Sequence, residues 1–283
     1  MSASALEEMR DFTLSNNEFN QIRKLVIEHT GISLSDAKRN LVYGRLAKRL
    51  RKTNIGDFGS YIALLESPEG KDELANFTNA ITTNLTSFFR ENHHFEFLKS
   101  DVLPNLLKIN SDTKRIRIWS AGCSTGEEPY SIAMTVREMI PESKGWDIKI
   151  LATDLDTNVL AHAQAGVYSL ERINNVDKTC LKRWFLRGKG EQSDSIKVRS
   201  ELQNMITFRQ LNLMEPWPLK NQFDIIFCRN VVIYFDKPTQ RVLFKRYHDV
   251  LKDTGHMFIG HSETMFKVSE DFQLIGNTTY IKK

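Results

Sequence analysis

The sequence predicts an α/β protein: a doubly wound, nucleotide-binding sheet domain, preceded by an all-helical domain and interrupted by a small β-hairpin insertion. Three observations carry that expectation. Residues 115–140 read as a short buried strand (Ile116, Ile118, Trp119), a turn of small residues from Ser120 to Gly126, and a helix with apolar positions Ile132, Ala133, Val136 and Ile140. That order is the opening unit of a doubly wound fold. Strands at 147–153 and 223–228 extend the pattern, and no strand pattern occurs between Leu14 and Ser87.

The 283 residues suit one large or two modest domains. No run of 18 apolar residues indicates a transmembrane helix. The N-terminus, MSASALEEMRDF, lacks the basic-then-apolar order of a secretory signal. Cys123, Cys180 and Cys228 are scattered and odd in number. They fit neither a disulfide framework nor CxxC metal spacing, so a reducing cytoplasm is expected. A net charge of +4 is modest, which makes its distribution matter more than its size.

Residues 1–12 read as a polar tail. Asn16 or Asn17 can cap a first helix carrying Phe19, Ile22, Val26 and Ile27 and ending near Thr30-Gly31. A second helix starts at Ser35 or Asp36. A third, opened by residues 55–57, carries Phe58, Tyr61, Ile62 and Leu65. Residues 67–70 break it, and a fourth carries Leu74, Phe77 and Ile81. The second helix holds seven basic residues and no acid between Lys38 and Lys52. At about 100° per residue, Lys38, Arg45, Lys48, Arg49, Arg51 and Lys52 share one arc, while Val42, Tyr43, Leu46, Ala47 and Leu50 share the inner one. So one-sided a patch favours an anionic partner, either nucleic acid or an acidic protein surface. Aromatics that could stack on bases are sparse there.

Asn84 to Arg90 is polar, then doubly aromatic, then cationic. It reads either as two core phenylalanines with a surface arginine or as a lid whose polar groups face a ligand. His93 and His94 are read as non-ligands, since no metal-binding constellation is evident around them. A helix through Leu98, Val102 and Leu106 leads to the 115–119 strand.

In the small-residue turn, Gly122 and Gly126 stand four apart and no lysine follows. This is neither the dinucleotide G-x-G-x-x-G nor the phosphate loop G-x-x-x-x-G-K-[ST]. Glu127 and Glu128 at the helix start would repel a pyrophosphate. They suit a ligand bearing hydroxyls and positive charge, such as an adenosyl sulfonium amino acid. The second strand ends in Asp154, placed where such folds hold ribose hydroxyls. It lies 28 residues after Gly126, more than the usual ~20. Asp156 or Thr157 suits the helix cap that follows.

After the helix Asn158 to Ala165, residues 167–205 break the alternation, and a Gly-rich loop before Ile196–Arg199 suggests a hairpin insertion with an edge open to a peptide strand. The core resumes at 205–209. The apolar strand 223–228 ends in Arg229, Asn230 and Tyr234, which its carboxyl end places at the cleft. A helix (240–251), a strand (255–260) ending in His261-Ser262-Glu263, and a hairpin (272–281) complete the sheet.

Taken together, NLTSFFRE (84–91), SAGCSTGEEPYS (120–131), TDLD (153–156), FCRNVVIYFD (227–236) and GHSE (260–263) resemble the CheR methyltransferases of bacterial chemotaxis, over nearly the whole chain. The resemblance implies a Rossmann-like S-adenosylmethionine (SAM)-dependent methyltransferase fold that methylates glutamates of chemoreceptors and releases S-adenosylhomocysteine, without a metal. It implies that Asn84, Thr86, Arg90, Glu128, Asp154, Asn212, Leu213, Arg229 and Asn230 contact the cofactor, with Arg90 and Tyr234 nearest the transferred methyl. Domains are expected at 1–87 (helical, receptor-docking, with a linker to about 95), 88–283 (SAM-binding) and 167–205 (inserted β-subdomain). Lys38, Arg45, Lys48, Arg49 and Arg51 resemble the family's docking surface for the receptor's cytoplasmic helices, and the insertion resembles its subdomain for a receptor C-terminal tail. A cytoplasmic monomer with neither nucleic-acid binding nor membrane insertion is implied. A nucleic-acid methyltransferase using the basic helix and a non-catalytic SAM-sensing adaptor are the competing readings.

Overall fold

The computed structural model describes residues 11–283. The first ten residues of the expected polar tail lie outside the described residues. The chain divides into two compact units, one running to Thr83 and including Tyr234–Asp236, the other comprising Asn84–Ile233 and Lys237–Lys283.

The first unit is helical. Its first helix, α1 (Asn16–Thr30), is capped by Ser15 rather than by Asn16 or Asn17. The Ser15 hydroxyl accepts the Glu18 N–H at 3.2 Å and the Glu18 carboxylate accepts the Ser15 N–H at 2.7 Å, a reciprocal pair that satisfies two end donors. Phe19, Ile22, Leu25 and Val26 are buried, whereas Ile27, expected inside, is exposed because it lies one step off that stripe. A 3-10 turn (Asp36–Lys38) leads into α2 (Arg39–Thr53), which buries Val42, Leu46, Ala47 and Leu50. Asp57 caps α3 (Phe58–Glu66), and α4 (Lys71–Ile81) closes the cluster with Phe77 and Ile81. The Ser33 N–H donates to the Tyr234 carbonyl at 2.8 Å, so residues 234–236 belong to this unit.

The second unit is α/β. Its strands in chain order are β1 (Arg115–Ala121), β2 (Asp147–Asp154), β3 (Val167–Ser169), β4 (Phe185–Arg187), β5 (Ser195–Val198), β6 (Ile206–Gln210), β7 (Phe223–Cys228), β8 (Leu251–Ile259), β9 (Phe272–Gly276) and β10 (Thr279–Lys282). The main sheet has the order β6-β2-β1-β7-β8-β10-β9. The first five strands are mutually parallel, and β10 runs antiparallel to both neighbours. Every residue of β7 is buried, as a central parallel strand requires. The connections from β1 run to β2 on one side while β7 lies on the other, so a crevice opens at the carboxyl ends of these strands.

Its helices are α5 (His93–Phe97), which passes through a π-turn (Leu98–Val102) into α6 (Leu103–Ile109), then α7 (Glu127–Met139), α8 (Thr157–Ala165), α9 (Lys178–Trp184), α10 (Ser200–Gln203) and α11 (Lys237–Val250). The insertion contains the expected hairpin, β4 and β5 joined across residues 188–194, and adds β3 on the other edge of β5 to make a three-stranded antiparallel sheet, β3-β5-β4. Three residues of β3 are too few to show a period of two. Residues 84–91 are part of the α/β unit, so the division falls after Thr83 and not after residue 87. The reason is Phe88, which is fully buried and packs edge-on to Tyr168 at 5.0 Å and Phe185 at 5.5 Å. All three cysteines are buried and free. Among the described residues no helix is long and apolar enough to cross a membrane.

Candidate active site

The turn from β1 into α7 is built for close approach. The Gly122 and Cys123 N–H groups both donate to the Thr153 carbonyl, at 2.8 and 2.9 Å, which ties the ends of β1 and β2 together. Gly122 has φ +85°, and a Cβ there would lie 2.4 Å from Val231 Cγ2. Gly126 has φ +97°, and a Cβ there would lie 2.7 Å from Ala163 Cβ. Both positions therefore need glycine twice over, for backbone angle and for space.

Glu128, in the first turn of α7, accepts the Ser120 hydroxyl at 2.8 Å and pairs with Arg229 Nη1 at 3.2 Å. Arg229 follows the end of β7 and its side chain is 2% exposed. Its guanidinium also pairs with Glu91 at 3.2 Å, donates to the Arg90 carbonyl and lies over the Phe95 ring. One buried cation thus joins the 84–91 segment to the start of α7. Burial pushes the Glu128 carboxyl up, against the opposing pull of Arg229 and Ser120. Burial also pushes Glu91 up, but the His261 hydrogen bond and the Arg229 charge outweigh it and hold the carboxyl down at about 2.

At the end of β2, Asp154 accepts the Ser124 N–H at 2.8 Å on one oxygen and the Asp156 N–H at 3.0 Å on the other. Burial raises its pKa as well. Asp156 caps α8 by accepting the Asn158 N–H at 2.9 Å, and it accepts the Asn84 amide at 2.7 Å. The Asn84 carbonyl in turn accepts the Ser124 hydroxyl at 2.9 Å. Asn212 sits just beyond β6 and accepts the Met214 N–H at 3.0 Å, and the carbonyl of Leu213 accepts the Trp217 indole N–H at 3.2 Å. Arg90 donates to the Leu85 carbonyl at 2.8 Å. The α/β unit therefore contains Asn84, Thr86, Arg90, Glu128, Asp154, Asn212, Leu213, Arg229 and Asn230, at or beside strand ends. Tyr234 belongs to the helical unit.

The basic arc is not one uniform surface. The Arg45 guanidinium donates to the carbonyls of Ile81 and, at 2.8 Å, Thr82. Arg49 grips Glu73 in a two-pronged pair at 2.9 and 2.5 Å, and the Tyr61 hydroxyl donates to the same carboxylate at 2.6 Å. Arg51 pairs with Asp11 at 2.5 Å. Arg45 and Arg49 thus hold the helical unit together, while Lys38, Lys48, Arg51 and Lys52 are exposed. Expecting a shared exposed arc overlooked acceptors supplied by α4 and the residues just beyond it.

Two models of one family match the chain. The CheR methyltransferase all-alpha domain matches residues 17–82, and the CheR methyltransferase SAM binding domain matches residues 84–281. The chain belongs to the CheR methyltransferase family. It is 44% identical to a chemotaxis protein methyltransferase of Klebsiella aerogenes, over 99% of this chain and 94% of that one. It is 44% identical to a probable chemotaxis protein methyltransferase of Rhizobium etli, over 90% of this chain and 96% of that one. The Escherichia coli chemotaxis protein methyltransferase is 42% identical, over 97% of this chain and 94% of that one.

The residues fit the cofactor of a CheR methyltransferase. Each oxygen of Asp154 takes one backbone N–H and retains a lone pair, as two hydroxyls of a ribose require. Glu128 and Asp154 are buried carboxylates whose pKa values are raised, and a cationic ligand opposes such a shift.

Four further residues organise the site, and of these the sequence assigns a role only to Glu127, beside Glu128 at the helix start. Glu263 accepts N–H groups from Gly260 at 2.6 Å, Asn230 at 2.9 Å and Ile233 at 3.1 Å, clamping the loops after β7 and β8. His261 donates to Glu91 from its backbone at 3.1 Å and approaches it with Nδ1 at 2.6 Å. Glu91 and Glu127 complete the set. Their only sequence signal is position, next to the Phe-Phe-Arg run and at the helix start. Glu91, His93 and His94 also place ligand-type atoms within 4.8 Å of one another, a grouping not recognised in the sequence. Arg229 is already paired with that Glu91 carboxylate.

Proposed function

We propose that the chain transfers the methyl group of SAM to glutamate side-chain carboxylates of chemoreceptors, forming methyl esters in sensory adaptation. The observation that carries this reading is the match of both family domains, in order, to relatives named chemotaxis methyltransferases over nearly the full length. When bound, SAM supplies a methyl group on a sulfonium, already activated for displacement. A glutamate carboxylate is ionised near neutral pH, so the chain need not supply a strong base. Its residues have two tasks, to position and to exclude water, which together are worth several kcal/mol.

In this reading Asp154 holds the ribose hydroxyls. Asn84, Thr86, Glu128, Asn212, Leu213, Arg229 and Asn230 line the remaining cofactor contacts. Arg90 and Tyr234 orient the incoming carboxylate by hydrogen bonds. Lys38, Lys48 and Arg51 meet the acidic helices of the receptor's cytoplasmic region, and the β3-β5-β4 sheet takes a receptor C-terminal tail. The protein acts as a cytoplasmic monomer and releases S-adenosylhomocysteine.

The test is methyl-labelled SAM with a receptor cytoplasmic fragment, followed by mild base. Base-labile label on the receptor is the expected outcome, and base-stable label or none refutes the ester. Tyr234→Phe and Arg90→Ala should slow transfer more than they weaken cofactor binding; wild-type rates in both would remove their roles.

A further inference from the structure

We propose that Arg172 is a positioning residue for the cofactor, through which the inserted sheet fastens residues 84–88 to the turn that opens α7. Arg172 lies in the 3-10 turn Leu170–Ile173, directly after β3. Its Nη1 stands 3.0 Å from Glu127 Oε1 and donates to the Thr86 carbonyl at 3.3 Å. One guanidinium therefore bridges two segments that are far apart in the chain and that carry the proposed cofactor residues, Asn84, Thr86 and Arg90 on one and Glu128 on the other.

Glu127 makes that bridge consequential. Its side chain is fully buried, and its other oxygen accepts the Thr125 hydroxyl at 2.6 Å. Removing the cation that pairs with a buried carboxylate leaves the charge uncompensated, and the first turn of α7 must move or neutralise it. Two further bonds from the insertion point the same way. The Tyr168 hydroxyl donates to the Thr125 carbonyl at 2.7 Å, and the Asn175 amide donates to the Phe88 carbonyl. Phe88 is itself wedged against Tyr168 and Phe185 of β3 and β4. The insertion thus reaches the cofactor segments through a carboxylate, three carbonyls and an aromatic contact. Both contacts are made by the one nitrogen Nη1, an ion pair to Glu127 and a hydrogen bond to Thr86, so a lysine, which keeps the charge on a differently shaped head, should preserve the bridge only in part.

This inference rests on the reading that these segments hold SAM, and the experiment separates the two. Calorimetry with S-adenosylhomocysteine is run on the full chain as wild type, Arg172→Ala, Arg172→Lys, Glu127→Gln and the Arg172→Ala/Glu127→Gln double variant. Wild type binds; Arg172→Ala binds about tenfold more weakly, which corresponds to about 1.4 kcal/mol, and Arg172→Lys falls between. In the Glu127→Gln background the Arg172→Ala loss shrinks, since the two residues act as one unit. With receptor fragment present, Arg172→Ala raises the KM for SAM by a similar factor while kcat at saturating SAM stays within about threefold. No heat with wild type overturns the cofactor reading itself. Wild-type affinity in both Arg172 variants, or full additivity in the double variant, overturns the positioning role. If Arg172→Ala does not fold, Arg172→Lys and Glu127→Gln decide: unchanged affinity in both overturns it, and a loss in both supports it.

Discussion

Arg229 has two carboxylates within 3.2 Å and almost no contact with solvent, so it is the residue on which the local charge balance turns. Replacing it with methionine would strand Glu91 and Glu128, a change that costs about 3–5 kcal/mol when one partner of a buried pair is lost. Urea unfolding followed by tryptophan fluorescence checks this cleanly, because all four tryptophans (119, 146, 184, 217) lie in the α/β unit. The same probe tests two acid effects. His94 is pushed down to about 4, by burial first and by the Arg229 charge second. Its unfolded form takes up a proton below about 6.5 while the folded form resists, so stability falls as pH drops from 6.5 to 4. Glu91, at about 2 when folded against an ordinary 4.5, contributes stability that is fully present above pH 4.5 and disappears as pH falls toward 2. A flat stability profile between pH 6.5 and 4 would exclude the His94 effect. At this scale the sequence was informative about which residues stand at a strand end, as Asp154 does at the end of β2. It placed Glu263 at a strand end but not its clamp, whose three N–H donors come from loops that the sequence alone does not bring together.

Single elements divide in the same way. Helical periodicity identified the inner arc of α2, because apolar spacing reports burial directly. It could not separate an exposed cation from one paired across to α4, since both look alike in the chain. The two kinds should part under mutation. Arg49→Ala leaves Glu73 buried beside Tyr61 and should lower the melting temperature of the helical signal in far-UV circular dichroism, by an amount matching about 3 kcal/mol. Lys38→Glu with Lys48→Glu should leave that melting unchanged and reduce receptor-fragment methylation several-fold at low salt, with cofactor affinity intact. Unaltered methylation would take those lysines out of docking. The glycine turn supplies a sharper case. Gly126→Ala must accept both φ +97° and a 2.7 Å contact with Ala163 Cβ, so loss of cofactor binding is expected even if the chain folds. The strand–turn–helix unit was legible because its signals are local. The three-residue strand β3 was not, because its pairing with β5 is a tertiary fact.

Over the whole molecule, the charge is placed unexpectedly. Residues 1–83 contain eleven Lys and Arg against eleven Asp and Glu, so the excess of +4 resides entirely in residues 84–283. A basic helix within a neutral segment lacks the broad positive field that polyanions exploit. Excess duplex DNA should therefore compete poorly with the receptor fragment for methylation; strong competition would favour the nucleic-acid reading instead. Family membership and domain order were readable because several motifs recur in sequence over the full length. The placement of Tyr234–Asp236 with the helical unit was not, since it depends on a backbone bond from Ser33, two hundred residues earlier. The three cysteines have a practical corollary. Burial raises the Cys180 thiol to about 12 and those of Cys123 and Cys228 well above the ordinary range, so little thiolate forms near neutral pH. Buried as they are, the three thiols should react little with maleimides while the chain stays folded, which labelling with and without urea checks. A spin-label pair introduced by Lys48→Cys and Ser269→Cys would report the distance between the two units as a receptor engages, with no native thiol to remove first.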